Sequence, residues 1–330
     1  MPRILAPMRP VRLARVLALA LLPIGCGDQA TPRAERGSAP SHASDDARAH
    51  VETFVVVPDY ADLATLLRQG HAVARERFGP HRLHYKAVFS TGPAGLDPSE
   101  PVPAVAVDEP IHERFTITDE LELVWASAAA SGSGPPAPPR LSLDQRNEHE
   151  HGRALILLDE RAWTSLDGRG WLERPVETDL WRMWADDAQH AVLDLVELAG
   201  PHAAIESVTP GDLDGRPVVR VSLRQAEQRH PERIVEAPSP WRRGAEVRVI
   251  AAAIVLDRAT GLWRSATIEL AWTFQDSAGR ELRGHVRFEG ALEVLAEPPV
   301  ILPPAESAPL PERDRPELLR ERLLDGLAGP

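Results

Sequence analysis

Between Glu246 and Leu295, apolar and polar residues alternate with a period of two. In one run Ala266, Ile268, Leu270, Trp272 and Phe274 share a face, opposite Ser265, Thr267, Glu269, Thr273 and Gln275. In the next, Leu282, Val286, Phe288, Leu292 and Val294 alternate with Arg283, His285, Arg287, Glu289 and Glu293. This period predicts strands with one wet and one dry face. Turns are expected at Asp257–Gly261 and Asp276–Gly279, each ending on a glycine. The segment therefore reads as three antiparallel strands of about 12 residues, or about 40 Å at ~3.3 Å per residue, twice the common length. A sheet this long with one apolar face must lie against something apolar. Trp263 falls on the polar side of its strand, and with Trp171 is expected at a rim or surface.

The rest of the chain divides by the same logic. Asp59 to about Arg75 predicts a helix, with Asp59 as cap and a stripe through Leu63, Leu66, Leu67, Val73 and Ala74. Strands are expected at His81–Thr91, Glu113–Trp125, Arg140–Asn147 and Arg153–Asp159. A hairpin follows, from Ala162–Leu166 to Trp171–Arg174. Thr178–Ala199 carries the strongest helical pattern, ended by Gly200-Pro201. Two strands, Ala204–Thr209 and Pro217–Arg224, flank Gly211–Gly215. Residues 128–139 and 225–244 read as loops, Glu297–Pro311 as an extended Pro-rich segment, and Asp314–Leu327 as a closing helix.

The N-terminus changes the picture more than the composition does. Arg3, Arg9, Arg12 and Arg15 precede the apolar run Val16–Ile24, and then Gly25-Cys26-Gly27. This order reads as a secretory signal, too short to span a bilayer as a helix. Residues 1–25 are thus assigned as signal, 26–50 as a disordered Ala/Ser/Pro-rich tether, 51–297 as the folded body and 298–330 as a C-terminal segment. Of 330 residues, one is cysteine, which excludes an intrachain disulfide and any cysteine-rich zinc site. The net charge of −12, without a basic tract, argues against a nucleic-acid partner.

Gly25-Cys26 resembles a bacterial lipoprotein signal, with Leu22 one place earlier than the usual leucine. The resemblance implies that Cys26 is the acylated first mature residue and the membrane anchor; Gly27 in place of an aspartate implies the outer membrane. The run Leu155-Ile156-Leu157-Leu158 through Trp163 to Gly170-Trp171, with the helix after it, resembles the LolA/LolB and LppX/LprG lipoprotein-carrier superfamily. So do Asp214-Gly215-Arg216-Pro217 and Leu256-Asp257 with Thr260-Gly261-Leu262. That likeness, over roughly residues 51–297, implies an α+β fold, an incomplete antiparallel β-barrel with helices covering its concave face. It also implies an apolar ligand, the acyl chain of a lipid or lipoprotein. Trp125, Trp163, Leu180, Trp181, Trp184, Ile268, Leu270, Trp272 and Phe274 are then the expected cavity lining, although ordinary core packing also accounts for them.

Catalytic chemistry has weaker candidates. His149 and His151 within Asn147–His151 share a strand face, as a zinc or copper pair would, but no third ligand follows at a recognisable spacing. Asp186-Asp187, Asp212/Asp214 and Asp45/Asp46 read as a surface helix face, polar turns and tether rather than acid/base pairs. No nucleophile elbow, phosphate loop or dinucleotide fingerprint occurs. With no catalytic signature beside it, the resemblance implies a non-enzymatic lipid-binding protein of the cell envelope without a cofactor. A protein-binding or sensor module on the same scaffold is the alternative, and a metal-dependent enzyme at His149/His151 is a third. Replacing Cys26 with Ser is expected to move the protein from the membrane to the soluble fraction; unchanged membrane association would refute the anchor.

Overall fold

The computed structural model describes residues 57–69, 71–93, 115–128, 139–176, 178–234, 242, 244–275 and 279–310. The expected signal with Cys26, the expected tether, residues 129–138 of the loop expected at 128–139 and the expected helix at Asp314–Leu327 lie outside these residues.

Two short helices open the body, α1 (Tyr60–Arg68) and α2 (Ala72–Phe78). Asp59 caps α1 by accepting from the Asp62 N–H at 2.9 Å. The single helix expected over 59–75 is thus divided. Gln69 is already extended, next to Gly70, whose missing side chain makes helix continuation costly.

The strands follow. They are β1 (His81–Pro93), β2 (Phe115–Ala128), β3 (Pro139–Asn147), β4 (Gly152–Leu158), β5 (Arg161–Leu166) and β6 (Leu172–Pro175). Helix α3 (Thr178–Ala199) comes next. Then come β7 (Ala203–Leu213), β8 (Arg216–Gln225), β9 (Glu246–Asp257), β10 (Trp263–Gln275), β11 (Glu281–Val294) and β12 (Ala308–Pro309). All twelve form one sheet, in the order β12-β6-β5-β4-β3-β2-β1-β11-β10-β9-β8-β7. Every pairing is antiparallel except β12 on β6. The sheet is long, curved and unclosed, consistent with a partial barrel.

β1 is the hinge of the topology. One meander leaves it through β2 to β6, and the other returns to it through β7 to β11. α3 therefore links β6, beside one edge, to β7 at the other. In a flat sheet those strands would stand about 48 Å apart, ten spacings of ~4.8 Å. The 22 residues of α3 supply about 33 Å at 1.5 Å per residue. A curved sheet brings the two ends within the helix's reach.

Local sequence decisions fix the register. Asp214 and Gly215 both have positive φ, 55° and 74°, as a two-residue hairpin turn requires. β7 consequently runs on to Leu213, past the expected end at Thr209. The buried Asp257 carboxylate accepts from the Ala259 and Thr260 N–H groups and the Thr260 hydroxyl, closing the β9–β10 turn. A bulge between Trp263 and Ser265 shifts the start of β10. It turns Trp263 inward, so this residue is fully buried and the expected rim position is corrected. The same bulge buries Arg264, which donates to Asp214 at 2.8 Å and to the Leu292 carbonyl at 3.1 Å.

The inward face of β11 carries two glycines that period-two reading of the apolar residues passes over. Gly284 pairs with Trp272, and a β-carbon there would stand 2.2 Å from the indole Cε2. One on Gly290 would stand 3.0 Å from Trp263 Cη2. The backbone of β11 is thus the surface on which two bulky rings lie. At the sheet's edges stand Pro210 in β7 and Pro309 in β12, neither with an N–H to donate. Gly284→Ala is expected to lower unfolding free energy by about 2 kcal/mol, the scale of overpacking a tight site. The loss should be largely relieved in a Trp272→Leu background. Equal losses in both backgrounds, by urea denaturation, would refute the contact.

Candidate functional site

The buried side of α3 and the inward residues of the sheet form one apolar cluster. Trp125, Trp181, Trp184, Ile268, Leu270 and Trp272 belong to it, and Leu180 and Phe274 pack against it half-buried. Eight of the nine expected lining residues are therefore together. Trp163 is the exception: it pairs with Ile156, whereas Leu155 and Leu157 of the same strand point into the cluster. Trp163 is buried outside that cluster, on the alternate side dictated by the pleat. Trp171 is half-buried.

α3 meets its surroundings through polar contacts as well. The Trp263 indole N–H donates to the Gln189 carbonyl at 3.0 Å. Arg75, fully buried on α2, donates to the Asp186 carboxylate at 2.9 Å and to the Ala185 carbonyl. Arg153 on β4 donates to Asp187 at 2.9 Å, and its guanidinium lies 5.1 Å from the Trp184 ring centre. Asp186 and Asp187, expected on an open helix face, instead each hold an arginine from a different element. Asp212 and Asp214 serve the β7–β8 turn, the former accepting from the Gly215 N–H.

A second polar chain crosses four strands on the inward face. The Arg153 Nε–H donates to Gln145 Oε1 at 2.8 Å, and the Gln145 amide donates to Asp119 at 2.8 Å. The Tyr85 hydroxyl also donates to Asp119, at 3.4 Å. Burial raises the Asp119 carboxyl pKa, opposed by its hydrogen bonds to Gln145 and Tyr85.

Histidines gather where α2 meets α3. The His71 and His190 rings lie edge to face, 5.3 Å apart. Burial first, then the Arg75 cation, pulls His71 down to about 4. Burial pulls His81 down to about 4 and also lowers His190. These residues were missed in the sequence. Their signal was a matched four-residue spacing on two helices, His71/Arg75 and Asp186/His190. Gln189, fully buried with neither amide atom hydrogen-bonded among the described residues, also follows the Trp181–Ala185 spacing on the apolar face.

The other candidates fall elsewhere. His149 and His151 sit on the exposed β3–β4 turn, where the Asn147 side chain accepts from both backbone N–H groups. Among the described residues no group of three His, Cys, Asp or Glu side chains is placed to hold a metal. A cleft of about 460 Å³ lies at the β5–β6–β12 edge, between Arg161, Arg174 and Leu310. No protein-family model matches the chain, and no curated protein matches it.

The depressed histidines give stability a pH dependence. The unfolded chain binds a proton at His71 and at His81 near 6.5, the folded protein only near 4, so acidification through that window favours unfolding. Asp194, raised to about 6 by burial, acts oppositely over part of the same window, from about 6 down to its ordinary 3.8. Of these three groups the two histidines outweigh the aspartate, whose window is narrower, and acidification leaves a net loss. Urea midpoints across that range should fall with pH, and less steeply in His71→Asn. A flat or rising profile would contradict the assignment.

Proposed function

We propose that the protein is an exported, lipid-anchored, non-enzymatic binding protein whose ligand is an apolar chain, the acyl group of a lipid or lipoprotein. In this reading α3 covers the concave face of the sheet, and the ligand lies between them. Cys26 carries the anchor, the body stands off the outer membrane on its tether, and no cofactor takes part.

The observation that supports this reading is that one helix links the two ends of an unclosed sheet and shares a single apolar cluster with its strands. Because β6 and β7 are not paired with each other, α3 can move without breaking a strand ladder. Parting α3 from the sheet exposes apolar surface, at roughly 25 cal/mol per Å². An acyl chain entering the same space offsets that cost by covering the surface again. The four tryptophans and two aliphatic residues named above give such a chain shape and contact without demanding a charge.

Native mass spectrometry of the full chain, extracted from membranes in mild detergent, tests this. A co-purifying mass of lipid size, removed by organic extraction, is expected. Its repeated absence would overturn the carrier reading and leave a protein segment as the partner of the concave face.

A further inference from the structure

Around the Trp125 ring, four elements bring polar atoms that the fold leaves without partners. Trp125 lies on β2, His81 on β1, Arg75 on α2 and Trp181 on α3. The His81 ring stacks 6.0 Å from Trp125, the Trp181 ring lies 6.2 Å away, and the Arg75 guanidinium carbon 5.5 Å away. Trp125, His81 and Arg75 are fully buried, and Trp181 is 5% exposed. Yet Trp125 Nε1, Trp181 Nε1, Arg75 Nε and His81 Nε2 have no hydrogen-bond partner among the described residues. Buried polar atoms left bare cost about 1–3 kcal/mol each, so four around one ring mark a place where a polar group would be stabilised.

The atoms specify its chemistry. Trp125, Trp181 and Arg75 each offer an N–H. His81 Nδ1 lies 2.7 Å from the Gly79 carbonyl, so the proton is on Nδ1 and Nε2 presents a lone pair. With burial holding His81 down to about 4, the ring is neutral at physiological pH. The Arg75 charge is already balanced by Asp186 at 2.9 Å. The site is therefore near neutral overall, with three donors and one acceptor, between aromatic walls. An anion is not demanded. A neutral group that both accepts and donates fits, and an amide combines a carbonyl with an N–H.

We infer that Trp125, Trp181, Arg75 and His81 form a polar subsite for an amide group carried by the acyl ligand, giving the apolar cluster a point of chemical selection. This rests on the acyl-binding reading above. The carbonyl accepts from the indole and guanidinium N–H groups, and the amide N–H donates to His81 Nε2.

The test compares dodecanamide with dodecane on the delipidated full chain, by isothermal titration calorimetry below the solubility limit of each. Dodecanamide is expected to bind about tenfold more tightly, as one or two net hydrogen bonds would give. In Trp125→Phe and Trp181→Phe, which keep a ring but lose the N–H, the ratio measured within each variant should fall towards one, whatever happens to its affinity for dodecane. Equal binding of the two ligands would overturn this subsite, leave the acyl reading intact, and assign the bare atoms to buried water. A preference that survives both substitutions would also overturn the subsite. Binding of neither ligand would overturn the acyl reading and the subsite together.

Discussion

Twenty-two helical residues have to connect strands that a flat sheet would hold about 48 Å apart, and much of the structure follows from that span. The sheet curves, and its inward residues then converge on the helix. Apolar residues of the helix and of the sheet belong to one buried cluster. The arginines add direction to this apolar contact. Arg75 and Arg153 take hold of adjacent carboxylates, Asp186 and Asp187, from two different elements. The apolar stripe sets which side of the helix turns inward, and two ion pairs on neighbouring residues narrow its rotation further.

Arg216 and Arg264 perform a related service for α2. Their guanidinium carbons lie 4.5 and 5.3 Å from the Phe78 ring centre, and Arg216 also donates to the Phe78 carbonyl at 3.2 Å. The end of α2 is thereby fastened to the β7–β10 side of the sheet, while Arg75 fastens its middle to α3. A seven-residue helix is too short to persist on its own and depends on such contacts. This concentration of arginine fits a chain in which Lys86 is the only lysine, since a planar guanidinium can stack on a ring and donate at its edge.

Much of this architecture was legible in the sequence because burial here is one-sided. The alternation in β9 to β11 and the apolar face of α3 each mark a single interface, and Thr178–Ala199 coincides with the expected helix. What escaped notice breaks a local rule for a non-local reason. Trp263 reads as polar-facing until the bulge at Arg264 reverses its side. Gly284 and Gly290 read as gaps in an apolar row, because their role is set by rings on the neighbouring strand. His71, His81 and Gln189 look like surface residues by composition, and only their spacing places them inside. β12 is two residues long and parallel, below any periodic signal.

An unclosed sheet has two margins at which another chain could add itself, backbone to backbone. Here one margin is β7, interrupted by Pro210, and the other is β12, which ends on Pro309. Each proline withholds a donor that an incoming strand would need. The sheet can thus stay unclosed without becoming a template for stacking copies of itself, so incompleteness does not bring with it a tendency to polymerise.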